Sequence, residues 1–217
     1  MKRNIIWHEL FERFDVESCP ICELMSDRIR KSMDSFLYEA VNDSVLRDKI
    51  KRSGGFCSCH AHMLADMGDP LAHALIYGDL IRDAVDNIEK AVPKVENISR
   101  NKTGCFFCEM MREGEKSYIG TFVDAYHDSM FRNGYIAGRS CLCLPHFEHI
   151  CKMKKGKLEI LPDITEDTIM KYRELISDLA EIKRRNDYRY MHEPWTERQK
   201  EAWKKAVIMI NSKKEIG

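Results

Sequence analysis

Nine cysteines stand at positions 19, 22, 57, 59, 105, 108, 141, 143 and 151, an unusually high number for 217 residues. Cys19 and Cys22 form a C-x2-C pair, and Cys105 and Cys108 form another. Cys57 with His60, and Cys143 with His146, each form C-x2-H. Thiolates and imidazoles at these spacings are the donors of metal sites. C-x2-C lets one tight turn aim two sulfurs at one ion, and C-x2-H does the same from the start of a helix.

A constant offset of 86 carries Cys19 onto Cys105, Cys22 onto Cys108, Cys57 onto Cys143 and His60 onto His146, without a gap. It also brings Glu23 onto Glu109, Met25 onto Met111 and Phe36 onto Phe122. Buried cysteines serving as small core residues are the plainer explanation. Core positions, however, accept Val, Ile or Ala, and four ligand types recurring in order do not follow from packing. The pattern predicts an internal duplication with one Cys3His set per half. Cys19, Cys22, Cys57 and His60 would make the first site; Cys105, Cys108, Cys143 and His146 the second. In each half 34 residues separate the C-x2-C from the C-x2-H, and a helical hairpin of that length would close the site.

Cys3His with every position filled by protein is typical of structural zinc, whereas catalytic zinc keeps one position open. Two zinc ions per chain are the expected cofactors, with folding coupled to their binding. Iron–sulfur ligation and a redox dithiol at Cys19-Pro20-Ile21-Cys22 are the alternatives. Cys59, Cys141 and Cys151 fall outside the repeat, and Cys141 competes with Cys143 or His146 as a ligand.

The elements that must position these residues read as helices. Leu24, Ile29, Met33, Phe36 and Leu37 keep a 3–4 spacing after Cys22. Asn42 or Asp43 is a possible cap for the next helix, and Gly54-Gly55 breaks the chain before Cys57. A long helix opening at Pro70 carries Leu71, Leu75, Leu80, Val85, Ile88 and Val92. The second half repeats the plan, with Gly134 and Gly138 as breakers. Residues 156–161 suit a short strand or connector. Asp163 with Glu166 suggests a capping box for a helix to about 186. A last helix is capped by Thr196 with Gln199, and Trp203, Val207 and Ile210 are its expected buried face. The fold expected is all-α: two zinc-stapled helical units related by a pseudo-twofold, with long packing helices. Residues 1–92 form the first unit, 93–104 a linker, and 105–217 the second, with a shared core left open.

Formal charge is zero, with 35 basic and 35 acidic residues, so no overall positive field draws in nucleic acid. Residues 151–217 hold 16 basic against 12 acidic side chains. The runs at 152–157 and 183–190 keep nucleic-acid binding as a disfavoured option. Neither a membrane span nor a signal peptide is recognisable, which points to a reducing cytoplasm. No phosphate loop, nucleophile elbow or H-E-x-x-H is present. The reading is a zinc-binding scaffold, leaning non-enzymatic, whose partner is another protein. The alternative is a thiol enzyme or redox sensor using the spare cysteines.

At CPIC (19–22), GGFCSCH (54–60), CFFC (105–108) and CLCLPH (141–146) the chain resembles a prokaryotic domain-of-unknown-function family with paired C-P-x-C and G-[FL]-C-x-x-H motifs. The resemblance spans roughly residues 15–150. It implies a soluble bacterial or archaeal protein with duplicated Cys3His sites at those eight positions, and transfers no activity. The second unit departs from the pattern with Phe106 in place of proline and Ser140-Cys141 in place of the glycines.

Overall fold

A computed structural model describes residues 3–91, 104–153 and 159–216. Among these residues every regular element is helical. The ten α-helices are α1 (Ile5–Glu12), α2 (Pro20–Tyr38), α3 (Ser44–Arg52), α4 (Ser58–Met67), α5 (Pro70–Ala91), α6 (Phe106–Ala125), α7 (Ser129–Ala137), α8 (Leu144–Cys151), α9 (Leu161–Arg184) and α10 (Glu197–Asn211). The strand considered at 156–161 does not form at its far end, where residues 159–160 are a 3₁₀ turn leading into α9; residues 156–158 lie outside the described ones.

The chain divides into two compact units, one of Met1–Ser26 with Gly114–Gly217, the other of Asp27–Glu113. These units cut across the halves 1–92 and 105–217 expected from the repeat. Residues 93–103 of the expected linker lie outside the described residues. Helices α2 and α6 each contribute to both units.

The first unit is built on an aromatic core. Trp7, Phe14, Phe122, Tyr126, Phe131 and Tyr135 are all buried. Their rings meet edge-on or tilted, as in Phe14–Phe131 at 4.8 Å and Phe122–Tyr135 at 5.4 Å, the arrangement that ring quadrupoles favour. Gly134, expected to break the chain, lies inside α7. A Cβ there would stand 2.5 Å from Phe11 Cε2, so the glycine admits a ring and does not end the helix. Lys171 on α9 is buried, and its ammonium donates to the carbonyls of Gly138 at 2.6 Å and Ile136 at 3.3 Å. A cation thus meets the carbonyl end of α7.

In the second unit α3 is capped by Asp43, whose side chain accepts from Val45 and Leu46. It ends in a Schellman motif: Gly55 N–H donates to Ile50 and Gly54 N–H to Lys51. Gly54 and Gly55 have φ of 74° and 92°, conformations that side-chain-bearing residues rarely adopt. The turn delivers the chain to Cys57.

Three expectations of local detail are corrected. Asp163 does not cap α9, which begins at Leu161 with Ile160 as its cap residue. Pro162 in the first turn allows the earlier start, because it needs no N–H partner. On α10 Trp203, Val207 and Ile210 are more than half exposed, and Ala202 and Met209 are the buried residues. The small Ala202 lets α10 lie close on its neighbours. On α5 Ala72 and Ile76 are buried, while Leu71, Val85 and Ile88 are exposed. Thr196 and Gln199 do form the capping box of α10.

Candidate metal centres

Each C-x2-C opens a helix. Cys19 precedes Pro20, the first residue of α2, and its carbonyl accepts from Glu23 N–H. Cys105 precedes α6 in the same way, its carbonyl accepting from Glu109. Each C-x2-H opens another helix. Cys57 is the N-cap of α4 and its sulfur accepts from His60 N–H at 3.4 Å. Cys143 is the N-cap of α8, with Pro145 in the first turn. All eight residues therefore lie at helix N-termini, where the helix dipole favours anionic thiolates.

These ends meet in two groups of four: Cys19, Cys22, Cys143 and His146 in site 1, and Cys57, His60, Cys105 and Cys108 in site 2. The eight residues are those expected, but the pairing is crossed. Each C-x2-C joins the C-x2-H of the other half, and the hairpin closure within each half does not occur. The backbone shows why for site 1. Ser140 N–H donates to Phe14 O at 2.8 Å, and Cys141 N–H to Ser18 O at 3.1 Å. A Cβ on Gly138 would stand 2.4 Å from Phe14 O. The segment entering α8 is thus laid directly along the segment entering α2. Cys141 points its sulfur at the Leu142 carbonyl and stands outside both groups.

The donor atoms of each group all lie within 4.8 Å of one another, close to the edges of a tetrahedral site. Around zinc, with bonds of about 2.3 Å to sulfur and about 2.0 Å to nitrogen, the edges would be about 3.8 Å for S–S and about 3.5 Å for S–N. In site 1 the Cys22 and Cys143 sulfurs are 3.7 Å apart, and His146 Nδ1 lies 3.4, 3.5 and 3.0 Å from the sulfurs of Cys19, Cys22 and Cys143. Site 2 has Cys57 and Cys108 at 3.7 Å, and His60 Nδ1 at 3.2, 3.5 and 3.4 Å from Cys57, Cys105 and Cys108. Disulfides have sulfurs about 2.05 Å apart, and all nine cysteines are free. The donor set and spacing fit one metal ion per group.

Electrostatics in site 1 also call for a cation. Burial pushes the Cys19 thiol up, but hydrogen bonds with Cys143 and Cys22 and the His146 charge outweigh it and hold Cys19 well below its usual range. Burial opposes charge on His146, yet the Cys19 thiolate and contacts with Cys143 and Glu115 raise it to about 12. In site 2 burial and the Cys105 charge push Cys108 up to about 12.

The two sites differ in their surroundings. All four residues of site 1 are buried, whereas Cys57 and Cys108 of site 2 are partly exposed. In site 1, His146 Nε2 faces Glu115 Oε1 at 3.3 Å, and the same oxygen meets His149 Nδ1 at 2.8 Å. Such an outer carboxylate fixes the tautomer of a metal-bound histidine. In site 2, His60 Nε2 is buried with no hydrogen-bond partner among the described residues, and the Phe107 ring lies 5.8 Å from the imidazole. Sequence reasoning missed Glu115, because a carboxylate inside a helix looks like any solvated face.

The model of a family of unknown function (DUF6062) matches residues 1–216. The chain belongs to this family. It is also 32% identical over 201 residues to an uncharacterized 23.9 kDa protein in the xynA 3' region of Caldicellulosiruptor sp. (strain Rt8B.4), covering 93% of this chain and 98% of that protein. No solved structure matches the chain.

The arginines of the basic stretch 183–190 pair within their own chain. Arg184 pairs with Glu181 and Glu193, Arg185 donates to the Pro194 carbonyl and lies over the Trp195 ring, and Arg189 pairs with Asp187. No helix among the described residues is long and apolar enough to cross a membrane.

Proposed function

We propose that Cys19, Cys22, Cys143 and His146 bind one zinc ion, that Cys57, His60, Cys105 and Cys108 bind a second, and that the ions hold together a non-enzymatic helical scaffold for another protein. The observation that carries this reading is the pair of Cys3His groups with tetrahedral edges. Four protein donors leave no position for water or substrate, as suits a structural ion. Edges of 3.7 Å between sulfurs suit one ion better than a cluster, which needs room for inorganic sulfide.

An internal duplication is part of the proposal, supported by the helix starts. Pro20 and Phe106, like Ser58 and Leu144, begin their helices at the same offset of 86. Crossed ligation gives the duplication a physical purpose, since neither half alone completes a site. Nine free thiols suit a reducing cytoplasm. A protein partner is favoured by the exposed Trp203, Val207 and Ile210 of α10, because apolar residues in a row on a surface mark contact sites. Internal pairing of the arginines at 184–189 speaks against nucleic acid.

Elemental analysis of the protein purified without added metal tests the reading, followed by chelation under far-ultraviolet circular dichroism. Two zinc ions per chain and loss of helical signal on their removal are expected. One ion, none, or an unchanged spectrum after removal would overturn it.

A further inference from the structure

The two sites form a matched pair that differs in the exposure of one edge. Cys22 corresponds to Cys108 and Cys143 to Cys57 at the offset of 86. The sulfur–sulfur edge between them is 3.7 Å in both sites. In site 1 that edge is sealed, with Cys22 and Cys143 at 0% exposure. In site 2 both sulfurs of the edge belong to partly exposed residues, while Cys105 and His60 behind them are buried. The open edge therefore joins the two thiolates that solvent reaches first.

Part of the seal over site 1 comes from α9 and α10. The Tyr172 hydroxyl of α9 lies within donating distance of Leu142 O at 3.2 Å and Met209 O at 3.0 Å, tying α10 across the entrance to α8. Lys213 adds an ion pair of 2.6 Å to Glu23, next to Cys22.

We infer that site 2 is an oxidant-responsive clamp, in which hydrogen peroxide joins Cys57 to Cys108 and expels the ion while site 1 keeps its own. The inference rests on the zinc reading above. One thiolate attacks the peroxide O–O bond, forming an S–O bond and releasing hydroxide, which takes a proton to become water. The second thiolate attacks that sulfur, the S–S bond forms, the S–O bond breaks, and the oxygen leaves as a second water after protonation. Two thiolates lose two electrons, and peroxide with two protons becomes two waters. The sulfurs must close from 3.7 Å to about 2.05 Å. Cys105 and His60 remain as two donors, too few to hold zinc against solvent.

The test uses the full chain carrying Cys59→Ser and Cys151→Ser, which removes two accessible thiols that are not ligands. Zinc content is measured first. Hydrogen peroxide is then added with a chromogenic chelator present, and the products are mapped by peptide mass spectrometry. Release of one of two ions, at least about tenfold faster than the other because thiolate reactivity follows access, with a Cys57–Cys108 disulfide and recovery on dithiothreitol plus zinc, supports the clamp. Simultaneous release of both ions, release of neither, or a disulfide elsewhere overturns it. A protein purified without zinc defeats the zinc reading and the clamp together, whereas a protein holding two zinc ions that forms no Cys57–Cys108 disulfide defeats the clamp alone.

Discussion

Sites 1 and 2 share their donors, their helix-end settings and their tetrahedral edges, and differ in what surrounds them. Site 1 is buried, with Glu115 behind its histidine; site 2 has an open edge and a buried imidazole nitrogen with no hydrogen-bond partner among the described residues. At the offset of 86, Glu115 and His149 correspond to Ile29 and Met63. Ile29 is fully buried, so in the sequence the offset sets an apolar residue against the carboxylate. The contrast teaches that ligand identity sets which ion can be held, while the outer residues and the covering helices set how firmly and how privately it is held.

Breaking the pairing has the largest expected effect. Cys22→Ser and Cys143→Ser each remove the ion of site 1, and the double variant still retains the ion of site 2. Cys22→Ser combined with Cys57→Ser removes both. Ligation within each sequence half would instead leave one ion in that last variant, so metal counts across the four proteins decide the topology. Structural zinc contributes on the order of 10 kcal/mol of apparent binding free energy, so each lost ion should unfold its own unit. Tryptophan fluorescence separates the units, because Trp7, Trp195 and Trp203 all lie in the first.

Alkaline pH gives the next effect and again divides the units. Burial raises the pKa of both Tyr126 and Tyr135, with Asp167 adding to the shift at Tyr126 and Cys141 at Tyr135. An unfolded tyrosine ionises near pH 10 while these do not, so their contribution is complete below pH 10 and is lost as pH rises through the folded values. Stability of the first unit should therefore fall as pH rises above 10. In the second unit Tyr38 is exposed, and Tyr77, half-buried, is the one tyrosine that burial and the Cys105 charge push up. Tryptophan emission should therefore change before the helical signal of the second unit is lost. Simultaneous loss would contradict a difference between the units.

Glu115→Gln sharpens the comparison on a smaller scale. Outer partners of metal-bound histidines are worth roughly 10- to 100-fold in affinity. The amide retains the shape but loses the charge that faces His146 and His149. Zinc competition should show weaker binding at site 1 and no change at site 2. Equal weakening at both sites, or none, would remove Glu115 from its positioning role.

The eight residues of the two groups stood out in the sequence because coordination would demand specific atoms at fixed spacings, which no core position requires. Their grouping did not. Cys19 with Cys22 is a local fact, but whether Cys57 or Cys143 joins them depends on contacts across more than a hundred residues, such as Ser140 N–H on Phe14 O. The C-x2-C and C-x2-H motifs are the same whichever way they pair, so the motifs alone do not choose between the two pairings. Helix existence was equally legible from the 3–4 pattern in Leu24, Ile29, Met33, Phe36 and Leu37, all of them buried. Faces failed on α10, where two apolar stripes compete and the small Ala202 marks the buried one. Gly134 misled because a glycine that admits Phe11 reads like one that ends a helix.

The smallest contrast lies in two equivalent caps. Asp43 caps α3, accepting from Val45 N–H at 2.8 Å and Leu46 N–H at 3.3 Å; Asp128 caps α7, accepting from Met130 N–H at 2.9 Å. Losing such a cap to alanine costs about 1 kcal/mol. Asp128 also accepts from Arg3 Nε at 3.0 Å, and that guanidinium lies 4.6 Å above the Trp7 ring. Exposed ion pairs add about 0.2–1 kcal/mol and fade with salt. Asp128→Ala should therefore cost slightly more than Asp43→Ala in denaturant unfolding of the zinc-loaded protein at low salt, and the excess should vanish at high salt. Asp128→Asn separates the two contributions, since the amide oxygen still caps α7 while the charge facing Arg3 is gone. If Asp128→Asn costs as much as Asp128→Ala, the charge rather than the cap anchors the start of α7, and the two caps are not equivalent after all.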